Sequence, residues 1–205
     1  IAGFAAHEDG KASYRSNLAE LSSGGADTLV IFDYGDGTGL TILRQALENG
    51  FFEKFVGGDG MKSDAPIKEL GAENLATFVA SSPVGEKSAS LDVFNAAFKD
   101  AGGDPDAIFV TTSYDAAFLL ALAIEKAGGD KAGVSAALRE VSNGQGEAIM
   151  PGEWKKAKEL IAAGTAIDYK GAAGDHNFDE KGDVPGTYAL WEVGANGFEV
   201  LTEMK

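Results

Sequence analysis

Residues 27–50 read DTLVIFDYGDGTGLTILRQALENG. An apolar run ends at Asp33, and a turn holding Gly35, Gly37 and Gly39 follows. Leu40, Leu43 and Leu47 then recur at i, i+3 and i+7, one face of a helix, and Gly50 supplies the stop. Strand, tight turn and helix in that order make the repeating unit of an α/β fold. The continuous apolar run is expected of a strand covered on both faces.

Working outward, Ile1 to His7 reads as a strand, and Lys11 to Ser22 as a helix with Tyr14, Leu18 and Leu21 on one face. Lys54 to Gly58 is the next strand. Asp64-Ala65-Pro66 then opens a short helix that ends near Gly71. Ala76 to Ser81 is a further strand, and Lys87 to Ala101 a helix carrying Leu91, Phe94 and Phe98. Residues 1–103 thus read as four strand–helix units. Right-handed crossovers assemble such units into a Rossmann-like parallel sheet with flanking helices.

Beyond Asp104-Pro105 the alternation stops. Ser113 to Ala127 is a strongly apolar helix with Ser113 as its N-cap; Asp130 caps a second one carrying Val134, Leu138 and Val141. Pro151 to Ala163 is a third, after a polar loop. Tyr188 to Val193 and Phe198 to Leu201, joined through Gly194 to Gly197, read as a hairpin.

Composition narrows the function. Seventeen basic against 32 acidic residues give a net charge of −15, the wrong sign for a nucleic-acid partner. The longest apolar run, Ala116 to Ile124, falls well short of the roughly 20 residues of a membrane span. With no cysteine there are no disulfides, thiolate metal sites or thiol nucleophiles. The chain starts at Ile1 rather than at Met, and so reads as processed, trimmed or cut down.

Two turns could carry chemistry. Asp33 to Gly39 follows a strand and precedes a helix, where open α/β sheets bind ligands. It has neither the Lys-Ser/Thr of a phosphate loop nor a G-x-G-x-x-G pattern, and its aspartates would repel phosphate. It is either a ligand-facing loop or a tight acidic turn. Gly57-Gly58-Asp59-Gly60 sits past the next strand, so Asp59 either accepts from a ligand ammonium or bonds its own backbone in an Asx-turn. Asp175, Asp179 and Asp183 are spaced by four, unlike the alternating ligands of an EF-hand, and no metal site is read there. His7 and His176 have no metal-site context and read as surface or hydrogen-bonded residues. No nucleophile is paired with a base, so no enzyme and no cofactor is expected.

The series TLVIFDYGDGTGLTILRQALENGF, KFVGGDGM, DAIFVTTSYDAAFLLALAIEKAGG and FDEKGDVPGTYALWEV, in that order, resembles the branched-chain amino-acid family of periplasmic substrate-binding proteins of ABC transporters. PGEWKKAKELIAAGTAIDYKGAAG is similar to an insertion in one bacterial subgroup of it. The resemblance covers nearly the whole chain. It implies the C-terminal part of a type I periplasmic binding protein. Residues 1–104 would be most of the second lobe, and residues 105–186 the closing helices of the first lobe, with an insertion at about 143–174. Residues 187–205 would return to the second lobe, and the opening of the first lobe would be missing.

The resemblance further implies that an amino acid, branched-chain or a similar small zwitterion, binds in an interlobe cleft and is delivered to a membrane permease. The setting would be the periplasm of a Gram-negative bacterium. Tyr34 matches the aromatic that follows the first strand, Asp59 the acidic residue that holds the α-ammonium, and Phe109 an aromatic that closes over the ligand's side chain. Tyr114 is a nearby alternative, with core packing as its other reading. The groups that grip the α-carboxylate would belong to the missing N-terminal lobe. A ligand-sensing module of a receptor or regulator is the alternative function on the same fold.

Overall fold

The computed structural model describes residues 1–85, 87–105 and 107–204, so Asp106, which opens the DAIFVTTSY motif, lies outside the described residues. The chain is α/β and divides into two compact units, Ile1–Pro83 with Tyr188–Lys205, and Val84–Thr187.

The first unit is built on a sheet of order β1-β2-β3-β6-β7. Its strands are β1 (Thr28–Ile31), β2 (Lys54–Gly57), β3 (Phe78–Val84), β6 (Thr187–Gly194) and β7 (Gly197–Met204). β1, β2 and β3 run parallel, with Val30 level with Val56 and Val56 level with Val79, while β6 and β7 form the expected antiparallel hairpin. The helices are α1 (Arg15–Ser22), α2 (Thr38–Asn49) and α3 (Asp64–Leu70). α2 ends at Gly50 in the left-handed region, where a Cβ would be costly.

One face of this sheet carries the core. Leu29, Ile31, Phe55, Phe78 and Ala80 are buried against Tyr14 and Leu18 of the first helical segment and Ile42, Leu43 and Ala46 of α2. Of the alternate positions, Val30 is 51% and Phe32 80% exposed, while Val56 and Val79 are half-buried. The 27–33 run is therefore a strand covered on one side only, unlike the expectation for so continuous an apolar stretch. Ile1 to His7 forms no strand. It runs irregularly before α1, with Ile1 and Phe4 exposed.

The second unit contains α4 (Ala89–Asp100), α5 (Val110–Lys126), α6 (Val134–Ser142) and α7 (Trp154–Ala162). It also holds a parallel pair, β4 (Glu147–Ile149) and β5 (Ile167–Tyr169), joined through α7. Leu119 and Leu122 of α5 and Val141 of α6 meet Ile149, Ala157, Ile167 and Tyr169 in one core. The residues 143–174 thus form a β-α-β crossover whose three-residue strands leave little trace in the sequence.

The division into compact units falls between Pro83 and Val84. In α4, Phe94 is 3% exposed and its ring stands 5.0 Å from that of Tyr114, so this helix packs on α5. Among the described residues, no helix is long and apolar enough to cross a membrane.

Candidate ligand-binding site

Two loops meet at the C-terminal ends of β1 and β2. Gly58 N donates to Ile31 O at 3.0 Å and Gly35 N to Gly60 O at 2.9 Å, so residues 32–35 and 58–60 are laced together. The approach is close. A Cβ on Gly60 would stand 2.6 Å from Asp33 O and 3.2 Å from Tyr34 Cδ1, and one on Gly39 would stand 2.6 Å from Tyr34 O. Glycine is what allows the first turn of α2 and the Asp59 loop to close on Tyr34.

Tyr34 and Asp59 are thereby neighbours on one rim of the first unit. Tyr34 is 58% exposed and stands outside the buried core. Asp59 opens a single 3₁₀ turn, Asp59–Met61, and is exposed; its Oδ1 accepts from Gly60 N at 2.9 Å. Asp59 thus bonds its own backbone, one residue on rather than the two of an Asx-turn, and its residue stays exposed to solvent. Behind it, Lys62 Nζ lies 4.2 Å from the centroid of Trp191, whose indole N–H donates to Ser82 Oγ at 2.9 Å. These contacts tie the segment after Asp59 to β6 and β3.

Asp33 is engaged through both carboxylate oxygens. Its Oδ1 accepts from Tyr34 N at 2.6 Å and its Oδ2 lies 2.6 Å from His7 Nε2. His7, Asp9 and Asp33 bring one ligand atom each within 4.8 Å of one another, a grouping that no sequence spacing reveals. The hydrogen bond within it accounts for His7 without an ion.

In the second unit Phe109 and Tyr114 open α5. Phe109 has φ +66°, the left-handed region, and is the one non-glycine residue so placed among the described residues. Such a backbone costs roughly 1–2 kcal/mol and is often kept where a side chain must be aimed. Tyr114 is engaged in packing: its ring stacks on Phe118 at 5.6 Å and its hydroxyl accepts from Gly152 N at 2.8 Å. Burial pushes its phenol above the usual range, with the Asp115 charge adding to this.

Asp115, which sequence reasoning did not single out, is the most heavily bonded side chain of this unit. Fully buried, it accepts from Tyr169 Oη at 2.6 Å, Ala172 N at 2.9 Å and Ala173 N at 2.7 Å, and its Oδ2 lies 3.1 Å from His176 Nε2. Burial raises its pKa, but the bonds from His176, Tyr169 and the two amides outweigh that and hold the carboxyl below its ordinary value. Burial, and then the bond to Asp115, push the Tyr169 phenol up. An Asp after a Tyr in an apolar helix was the available signal, but its partners lie 54 to 61 residues away.

Residues 2–196 match the family described as the receptor family ligand binding region. The chain belongs to that family. Among relatives of this receptor-family chain is the leucine-, isoleucine-, valine-, threonine- and alanine-binding protein of Pseudomonas aeruginosa. It is 26% identical over 204 residues, which are 98% of this chain and 48% of the relative. A leucine-binding protein from Thermotoga maritima superposes with a TM-score of 0.68 at 22% identity, over 96% of this chain and 49% of that one. The branched-chain amino acid transporter substrate-binding protein from Streptococcus pneumoniae, solved with isoleucine, gives 0.61 at 18% identity, over 95% and 48%. The fold is that of type I periplasmic binding proteins. The chain spans about half the length of the relatives it matches.

Proposed function

We propose that this receptor-family chain contributes the ammonium-binding part of a solute receptor for an amino acid, branched-chain or a similar small zwitterion. The receptor would serve an ABC transporter permease in the periplasm. The observation that carries the reading is the juxtaposition of Tyr34 and Asp59 on two loops laced by the Gly35–Gly60 bond, at the strand ends where open α/β sheets take ligands. An exposed carboxylate beside an exposed aromatic suits an ammonium group, through a charged hydrogen bond and ring contact together. Phe109, held in a strained backbone conformation, is the proposed aromatic contact of the second unit. Tyr114 is the weaker of the two, since its hydroxyl and ring are already engaged. The relatives' length supports further polypeptide, corresponding to their other half, as the source of the carboxylate grip.

Titration of isotope-labelled chain with L-leucine, followed by NMR, tests this reading. Binding with a Kd in the millimolar range, about −4 kcal/mol, is expected, with amide shifts concentrated at Tyr34, Gly35, Asp59 and Gly60. Shifts confined to other residues would contradict it.

A further inference from the structure

Asn-Gly occurs three times in the chain, at Asn49-Gly50, Asn143-Gly144 and Asn196-Gly197. The dipeptide is reactive wherever it can move, because glycine has no Cβ to keep its own backbone nitrogen away from the preceding side-chain amide. The fold treats the three sites differently. Asn49 closes α2: its Nδ2 donates to Gln45 O at 2.7 Å, and the Gly50 amide donates to Leu47 O at 3.1 Å. Asn143 follows α6, where its Oδ1 accepts from Phe178 N at 2.8 Å and its Nδ2 donates to Phe178 O at 2.6 Å. Both of these side-chain amides are pinned. Asn196 lies in the turn Ala195-Asn196 between the paired Gly194 and Gly197. It is exposed, and among the described residues nothing bonds its side chain. Gly194 with Gly197 is the last rung of the β6–β7 ladder, and terminal rungs open most easily. Gly197 has φ +123°, a conformation that favours glycine, so the turn itself keeps the neighbour that makes Asn196 vulnerable.

We propose that Asn196 is the site at which the folded chain deamidates. Gly197 N gives its proton to hydroxide and attacks Asn196 Cγ. The new N–Cγ bond forms, the Cγ–Nδ2 bond breaks, and ammonia leaves. Water then opens the resulting succinimide at either of its carbonyls, giving an aspartyl residue at this position or its β-linked isomer. Either product puts a carboxylate at the tip of a hairpin that already sets Glu192 opposite Glu199. The β-linked isomer also adds a backbone carbon to the turn. The neighbouring pair, Val193 and Phe198, packs against the core of the first unit, with the Phe198 ring 6.2 Å from that of Phe78. A lengthened turn works against that pairing, so the modification loosens the end of the hairpin from the core.

Incubation of the chain in mildly alkaline buffer, followed by tryptic peptide mapping with mass spectrometry, tests the proposal, since the three dipeptides fall in separate tryptic peptides. In the folded chain Asn196 is expected to convert at least about tenfold faster than Asn49 or Asn143, whose hydrogen bonds must break before the ring can close. In concentrated urea the three rates are expected to converge, because only the fold distinguishes the sites. Equal rates at the three sites in the folded chain would overturn the proposal, as would conversion of Asn49 or Asn143 ahead of Asn196. So would an Asn196 that survives in the folded chain but reacts in urea, or rates that stay equally far apart in urea.

Discussion

Gly35 donates its amide to Gly60 O at 2.9 Å, and this bond sets Tyr34 beside the loop that carries Asp59. The closeness depends on Gly60 lacking a Cβ, which would stand 2.6 Å from Asp33 O. Gly60→Ala is therefore expected to push the two loops apart, at about 1–3 kcal/mol of stability. Chemical denaturation of the variant measures it; a loss below about 0.5 kcal/mol would mean that the loops accommodate the methyl.

Tyr34 illustrates the opposite case. Being 58% exposed, it contributes little to folding, and Tyr34→Ala should leave stability within about 0.5 kcal/mol of the wild type. The same change should weaken L-leucine binding in an NMR titration. A large loss of stability with intact binding would mark Tyr34 as a packing residue.

How much of this was legible in the sequence depends on how local the cause is. β1 and β2 could be read because each is a short apolar run followed by a glycine-containing turn, the first after Asp33 and the second from Gly57. The packing of α4 could not. The spacing of Leu91, Phe94 and Phe98 tells that one face of α4 is buried, but not that Phe94 meets Tyr114. Nor does the run around Val30 say that only Leu29 and Ile31 find a core, since that depends on which helices the chain supplies. β4 and β5 are each three residues long, and only their pairing across α7 makes them strands. His7 with Asp33, and Asp115 with Tyr169, are contacts between distant positions that no motif spacing encodes.

Asp115 should be the costliest single position of the second unit. Its removal strands Ala172 N and Tyr169 Oη, buried donors worth about 1–3 kcal/mol each when left unpartnered, and the part-buried Ala173 N. Asp115→Ala is expected to cost about 3 kcal/mol or more, with faster amide exchange at Ala172 and Ala173. Unchanged protection at those amides would show that the loop is held by other contacts.

The same carboxylate sets a pH dependence. Because its folded pKa is below its ordinary value near 3.8, Asp115 binds a proton less readily when folded. Its stabilisation is complete above the unfolded value and is lost as pH falls through the folded one. The advantage of the wild type over Asp115→Asn in urea denaturation should thus be constant above about pH 5 and shrink below about pH 4. A difference that grows on acidification would have the wrong sign.

Asp59 as the partner of a ligand ammonium is tested most directly by titrating wild type and Asp59→Asn side by side with L-leucine and with 4-methylpentanoate, which is leucine without its ammonium group. Loss of a charged hydrogen bond is worth roughly 1.5–3 kcal/mol, so L-leucine should bind Asp59→Asn at least about tenfold more weakly than wild type. The carboxylate analogue should bind wild type poorly and gain from the substitution. Equal affinity of wild type and Asp59→Asn for L-leucine, or a wild type that takes the analogue as well as the amino acid, would contradict the assignment.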